Sequence, residues 1–240
     1  MENIISVSHL SFGYDRKRKV LENINFRLKK GESVGLVGAN GVGKSTLLRI
    51  LVGLNTGFQG DVMVNNIPLK KKNLKTIRKN VGYVFQDADS QLFMSTVFDD
   101  VAFAPRNYGM SEAEVNKKTM EALKVVHIEQ LKDKQIYKLS GGEKKLASIA
   151  TILSTEPDVI LMDEPSVALD PKNRRNLINI LNQLNQAKII ASHDLNMIMD
   201  TCERTILLSD GKVIKDGNTK EILLDKELME ESGLELPLGY

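Results

Sequence analysis

Gly38-Ala-Asn-Gly-Val-Gly-Lys-Ser45 fits G-x-x-x-x-G-K-[ST], the pattern of a loop that wraps the phosphates of a nucleotide. Glycines 38, 41 and 43 open backbone conformations closed to residues with a Cβ, so that consecutive N–H groups can converge on an anion. Lys44 is spaced to reach the terminal phosphates, and the Ser45 hydroxyl to coordinate Mg²⁺. The flanks agree. Ser33-Val-Gly-Leu-Val37 is a short apolar run suited to a buried strand, and Thr46-Leu-Leu-Arg-Ile-Leu-Val52 is apolar at helical spacing. Phosphates held by this loop would lie at a helix N-terminus, where backbone N–H groups and the helix dipole favour negative charge. Strand, glycine turn and helix in this order predict a nucleoside triphosphate site in an α/β fold.

With 240 residues there is ample chain for a buried core, and 42% hydrophobic with 27% charged residues is ordinary for a globular protein. Apolar runs such as Val159-Ile-Leu-Met162 are far too short to cross a bilayer, and Met1-Glu-Asn-Ile lacks the basic-then-apolar pattern of a signal peptide. The single cysteine, Cys202, excludes an internal disulfide and suits a reducing compartment. A net charge of +2 points neither toward nucleic acid nor away from it. These observations predict a cytosolic chain whose link to a membrane, if it has one, runs through a partner.

Residues 4–12 and 20–28 alternate apolar and polar as strands with one solvated face do. Asp61–Val64 and Val81–Phe85 read as further strands. From Thr96 to about Ser154 the pattern turns helical, and Ser111-Glu-Ala-Glu114 reads as a capping box opening a helix to about His127. Strand signals return at Val159–Met162 and Ala187–Ala191, with a helix over about 172–185 between them. Arg204–Asp216 is a hairpin around Asp210-Gly211, and Glu221–Gly233 closes with helical periodicity. The expected fold is α/β: a phosphate-loop NTPase core with a mostly parallel sheet, an antiparallel β edge and an inserted α-helical subdomain. It is expected to form one domain over 1–240, with the helical subdomain at about 96–155 and the hairpin plus helices at about 204–240.

Val159-Ile-Leu-Met-Asp163-Glu164 is an apolar strand ending in two carboxylates. At such a strand end one acid can support Mg²⁺ and the next can take the proton of an attacking water. Asp-Glu before Pro165 is equally the composition of an ordinary turn; its place about 120 residues after a phosphate loop makes it a partner of that loop. Leu139-Ser-Gly-Gly-Glu143 opens a helix over Lys144–Ser154 with a second capping box, Ser140 and Glu143. A cap does not need two glycines. Ser140, Gly141 and Gly142 leave a hydroxyl and backbone N–H groups open at the positive end of a helix, a second place for phosphate. The basic run Lys70–Lys79 has no interleaved aromatics to stack bases and reads as a solvated segment. His9 and His127 read as surface or packed imidazoles, and Met197, Met199 and Cys202 as helix core rather than a soft-metal site.

Gly38–Ser45, Gln86, Leu139–Glu143, Asp163-Glu164, Ser166-Val-Ala-Leu-Asp170 and Ser192-His193-Asp194 occur in the order seen in the ATP-binding-cassette ATPases, and over about residues 4–225 the chain resembles that family. The resemblance implies ATP and Mg²⁺ as cofactors and a head-to-tail dimer with two ATP molecules between subunits. It carries over Gly38, Asn40, Gly41, Gly43, Lys44, Ser45 and Thr46 as phosphate contacts and Tyr14 as the ring stacked on adenine. Ser45, Gln86 and Asp163 become metal contacts, with Gln86 also a water sensor. Glu164 becomes the catalytic base and His193 the switch on the γ-phosphate. Ser140, Gly141, Gly142 and Asp170 act across the dimer. Two residues depart from the family pattern: Glu143 stands where Gln is usual, and Val167 where a small or polar residue is common.

Phe85-Gln-Asp-Ala-Asp-Ser-Gln-Leu-Phe93, followed by Thr96–Phe103 and Pro105, looks like the ATPase subunits of energy-coupling-factor importers. Gly142-Glu-Lys-Lys145 and Gly233-Leu-Glu-Leu-Pro237 look more like the cobalt/nickel branch than the vitamin branch. That resemblance implies a peripheral ATPase on the cytoplasmic face of the membrane. Its partners would be a second ATPase subunit, identical or paralogous, a transmembrane coupling subunit and a membrane substrate-capture component, with no nucleic acid. Leu92 and Phe93 would face the membrane partner if exposed, and are core if not. A vitamin importer of the same architecture stays open, as does a soluble cassette ATPase acting on nucleic acid, although no fused second cassette or long coiled coil is present. Glu164 and His193 speak against a nucleotide-binding regulator without turnover.

Overall fold

The structure, a computed structural model, describes residues 2–15 and 18–239. In chain order it runs β1 (Asn3–Phe12), β2 (Leu21–Lys29), β3 (Ser33–Val37), α1 (Lys44–Leu51), β4 (Gln59–Val64), β5 (Ile67–Pro68), α2 (Leu74–Asn80) and β6 (Val81–Val84). There follow α3 (Val97–Asn107), α4 (Glu112–Val125), α5 (Gly141–Leu153), β7 (Val159–Asp163) and α6 (Pro171–Gln183). The chain closes with β8 (Ala187–Ala191), α7 (Leu195–Thr201), β9 (Arg204–Ser209), β10 (Lys212–Asn218), α8 (Thr219–Leu223) and α9 (Lys226–Glu231). Two compact units result: Met1–Tyr83 with Asp158–Glu164 and Asn185–Tyr240, and Val84–Pro157 with Pro165–Leu184.

The first unit holds two sheets. One has the order β10-β9-β3-β8-β7-β6, with β9, β3, β8 and β7 parallel and β10 antiparallel at an edge. Every residue of β7 and β8 is buried, as strands covered on both faces require. The other antiparallel strands do not extend that sheet. They form their own, in the order β2-β1-β4-β5, with Ile5, Val7 and Leu10 of β1 and Ile24, Phe26 and Leu28 of β2 turned inward. His9 sits in a register shift of β1 with φ 51, its Nδ1 2.9 Å from Asn23 Oδ1 and its N–H donating to Asn25 Oδ1, so this exposed imidazole serves a bulge. Cys202 and Met197 are buried.

In the second unit α3, α4 and α5 pack on one another. Both predicted capping boxes form: Ser111 with Glu114, and Ser140 with Glu143. The second starts α5 at Gly141, three residues before Lys144, because the Ser140 hydroxyl already satisfies the Glu143 N–H. Two further differences have local causes. The basic run contains α2, with Ile77 buried and Arg78 donating to the Gly53 carbonyl at 2.8 Å, while Lys70, Lys71, Lys72 and Lys75 stay exposed. The C-terminal periodicity is broken into α8 and α9 because Asp225 caps a new start, accepting from the Leu228 N–H at 3.1 Å.

Gly35 lets the strand that feeds the phosphate loop approach α7 closely: a Cβ there would lie 2.5 Å from Ile198 Cγ2 and 3.1 Å from Thr205 Oγ1. Overpacking of this kind costs about 1–3 kcal/mol. Gly35→Val should therefore lower stability in urea unfolding by about that much, and Ile198→Ala in the same chain should recover part of the loss. An unchanged unfolding midpoint would remove close packing as the reason for glycine at this position.

Candidate functional site

Helix α1 begins at Lys44 with Gly43 as its N-cap, a residue with no side chain to cap the backbone N–H groups of the first turn. Gly43 has φ 110, and a Cβ there would come within 2.7 Å of Leu21 Cδ2, so both conformation and space demand glycine. The open N–H groups are what an anion would occupy. Lys44 is buried, and its Nζ donates to the Gly38 carbonyl at 2.6 Å and the Ala39 carbonyl at 3.2 Å. Desolvation pulls the Lys44 ammonium below its usual pKa, opposed by the charges of Glu164 and Asp163.

β7 delivers both carboxylates to this loop. Ser45 Oγ donates to Asp163 Oδ1 at 2.8 Å, and Tyr83 OH donates to Asp163 Oδ2 at 2.9 Å. Burial, and then the Asp163 charge, push the Tyr83 phenol well above its ordinary range, so it stays a donor. Arg49 hydrogen-bonds Tyr83 in turn. Neither residue was singled out from sequence; the available signal was a tyrosine inside an aliphatic strand, where a buried hydroxyl needs a partner. The Ser45 hydroxyl and Asp163 carboxylate are hard oxygen donors side by side at the loop, a set that fits Mg²⁺ bound by one or two protein ligands plus phosphates.

Glu164 follows the strand with φ 47, a left-handed conformation unusual for a residue with a Cβ. Its N–H continues the ladder to the Ala191 carbonyl at 2.8 Å. Glu164 Oε2 accepts from Ser192 Oγ at 3.2 Å, His193 N at 3.1 Å and His193 Nδ1 at 2.8 Å. A carboxylate only accepts, so Nδ1 carries the proton. The other oxygen, Oε1, lies 3.9 Å from Lys44 Nζ, on the phosphate-loop side. Such backbone strain persists only where the surroundings over-determine it, and it concentrates at functional sites. Tyr14 is 62% exposed and anchored by its hydroxyl, 3.2 Å from Thr46 Oγ1 and accepting from Asn55 Nδ2 at 3.1 Å. Asn40 and Gly41 are exposed at the loop tip.

The remaining sequence-selected residues belong to the second unit. Ser140 and Gly141 are exposed, and Gly142 is buried against Asn173, whose side-chain nitrogen would meet a Cβ at 2.6 Å. Asn173 Nδ2 also donates to Asp170 Oδ2 at 2.7 Å, and its N–H to Asp170 Oδ1 at 2.8 Å. Asn173, overlooked in the sequence, thus ties Asp170 to the Ser140–Gly142 turn. Glu143 has its own function as N3 of the capping box: the Ser140 N–H, and then the Lys134 ammonium, hold its carboxyl below the usual range. Gln86 is exposed beyond the end of β6. Leu92 is buried while Phe93 is 64% exposed, so only Phe93 can face a partner. Its ring stands edge-on to the exposed Phe103 at 4.8 Å.

Comparison with known proteins bears on this geometry. The sequence matches the family described as ABC transporter over residues 21–167. An energy-coupling factor transporter ATP-binding protein of Methanocaldococcus jannaschii is 41% identical over 239 residues, covering 98% of this chain and 86% of that protein. The solved structure of cbiO1 from Clostridium perfringens, described as part of the ABC transporter complex cbiONQ, is similar with a TM-score of 0.86 at 36% identity, covering 96% of this chain and 94% of that one. A dimeric bacterial ABC transporter cassette is similar with a TM-score of 0.80 at 30% identity, covering 90% and 98%.

Lys44→Ala should lower affinity for a fluorescent ATP analogue by about tenfold or more, because charge-assisted hydrogen bonds are worth about 1.5–3 kcal/mol. Binding as tight as wild type would show that the ammonium does not meet phosphate.

Proposed function

This chain belongs to the ABC transporter family as an ATP hydrolase of the energy-coupling-factor type, and from that premise we propose that it energises a membrane importer of cobalt or nickel ions. The observation that carries the hydrolytic part is the strained Glu164, held by Ser192 and His193 with one oxygen on the side of Lys44. In this reading the phosphates of ATP lie on Gly38, Asn40, Gly41, Gly43, Lys44, Ser45 and Thr46, and the adenine on Tyr14. Mg²⁺, held by Ser45, Asp163 and Gln86, would neutralise charge on the β- and γ-phosphates. Glu164 takes a proton from the water that attacks the γ-phosphorus as the bond to ADP breaks, and His193 orients the γ-phosphate. Ser140, Gly141 and Gly142 of a second subunit close on that phosphate, with Asp170 at the dimer contact.

The dimeric cassette among the similar structures supports the pairing. Among the described residues no helix is long and apolar enough to cross a membrane. In this reading the chain works on the cytoplasmic face with a transmembrane coupling subunit and a membrane substrate-capture component, as its likeness to the energy-coupling-factor ATPases supports. Phe93 and Phe103 offer an exposed aromatic patch for the coupling subunit. The cargo assignment rests on Gly142–Lys145 and Gly233–Pro237 and on the likeness to cbiO1. A vitamin importer is the second reading, since an energy-coupling-factor ATPase serves either cargo.

Glu164→Gln keeps the side chain's shape and removes the base. Turnover should fall by about 10²–10⁴-fold while ATP binding persists and ATP traps a dimer on size-exclusion chromatography; hydrolysis at the wild-type rate would sink the assignment. In the assembled importer the same variant should stop uptake of labelled cobalt or nickel, and loss of vitamin uptake alone would transfer the cargo to the second reading.

Gly141 makes a clean probe of the shared site. A Cβ there meets nothing nearer than the Ala168 carbonyl at 4.0 Å, so the fold accommodates a side chain. Gly141→Asp should leave ATP binding by single subunits intact and abolish ATP-driven dimerisation through repulsion between carboxylate and γ-phosphate. Normal dimerisation of this variant would overturn the two-subunit site.

A further inference from the structure

Lys145 is a charged side chain with 3% exposure on the first turns of α5, and the site described above gives it no part in hydrolysis. Its ammonium donates to two consecutive backbone carbonyls, Phe85 at 3.0 Å and Gln86 at 2.7 Å. Both lie just past the end of β6, where the chain has left its sheet ladder and its carbonyls need other donors. The N–H of the same Phe85 donates to Gln91 Oε1 at 3.1 Å, and Gln91 Nε2 donates to the Ser148 carbonyl at 2.7 Å and Thr151 Oγ1 at 2.8 Å. Lys144 completes the set with an ion pair to Asp89 at 2.6 Å. The stretch from Phe85 to Gln91 is therefore fastened to α5 along the helix from residue 144 to residue 151. A buried ammonium is tolerated only where fixed dipoles answer it, which makes Lys145 the costliest of these ties to break.

We propose that Lys145 is a positioning residue for ATP hydrolysis: it joins the Gln86 backbone to the helix that begins at Ser140–Gly142, the signature turn, so that the loop and this turn move as one body. The helix is a stiff lever of 13 residues with Ser140 capping its start. A displacement of Ser140–Gly142 toward a phosphate carries the Phe85 and Gln86 carbonyls with it, and Gln86 reaches its working position only in step with the signature. This rests on the reading that Gln86 and Ser140–Gly142 serve the same hydrolysis.

Lys145→Met and Lys145→Arg test the proposal beside wild type. Lys145→Met should bind a fluorescent ATP analogue within about twofold of wild type, since the phosphate loop is untouched, and KM for ATP should hold. Losing a charge-assisted bond corresponds to about tenfold or more, so kcat should fall on that scale and amide exchange at residues 86–91 should quicken to match. Lys145→Arg, which keeps donors for both carbonyls, should restore most of each. Lys145→Met with wild-type kcat, or with unchanged exchange in this loop, would overturn the proposal. If Lys145→Met fails to fold, hydrogen exchange of the wild-type protein with ATP and Mg²⁺ decides: parallel gains in protection at 86–91 and 140–146 support it, and a gain at one without the other overturns it. ATP-driven dimerisation of Glu164→Gln is measured alongside. Its absence refutes the shared-site reading, whereas a dimer whose loop and signature exchange independently refutes the role of Lys145 alone.

Discussion

Placing the Lys44 ammonium under a phosphate loop takes a charge out of water, and the first unit is organised around answering it. Carbonyl dipoles of Gly38 and Ala39 meet the ammonium directly, and the carboxylates of Asp163 and Glu164 supply the opposing charge. Those acids arrive from β7, a strand buried at every residue, so their position is set by sheet packing rather than by a loop. Glu164 can hold its left-handed backbone because the ladder bond to Ala191 and the contacts from Ser192 and His193 fix it from separate directions. A site whose groups are pinned this way loses little to reorganisation when substrate charge arrives, which is where electrostatic catalysis gains most.

The same rule, that a buried polar group must find a partner, explains the less obvious side chains. Tyr83 lies in a strand yet ends on Asp163, stiffening the carboxylate that also meets Ser45. Asp100 is buried and accepts from the Phe93 and Met94 N–H groups, which holds Phe93 in an exposed pose beside Phe103. Asn173 joins Asp170 to Gly142. In each case one polar side chain meets its own need for a partner while holding a neighbouring group in place.

The departure at Glu143 follows the same physics. At the third position of α5 a carboxylate accepts the Ser140 N–H as an amide oxygen would, and it gains the Lys134 ion pair besides. The helix start is kept, and Gly141, its first residue, stays exposed. Nothing in the structure explains Val167.

What could be read along the chain is what short-range rules govern: the phosphate loop between strand and helix, the two capping boxes, the carboxylates ending an apolar strand, and the Asp210-Gly211 hairpin. Each is a matter of a few consecutive residues and their backbone preferences, and each formed where the pattern stood. Long-range contacts decided the rest. Leu92 and Phe93 are both apolar neighbours, and only packing buried one and exposed the other. The antiparallel strands separated into their own sheet through pairings between β1 and β4, across the whole phosphate-loop unit. Tyr83 found Asp163 80 residues away, and Lys145 found Phe85 and Gln86 about 60 residues back. A buried donor takes whichever acceptor the fold brings within 3 Å or so, and that identity is carried by no local pattern.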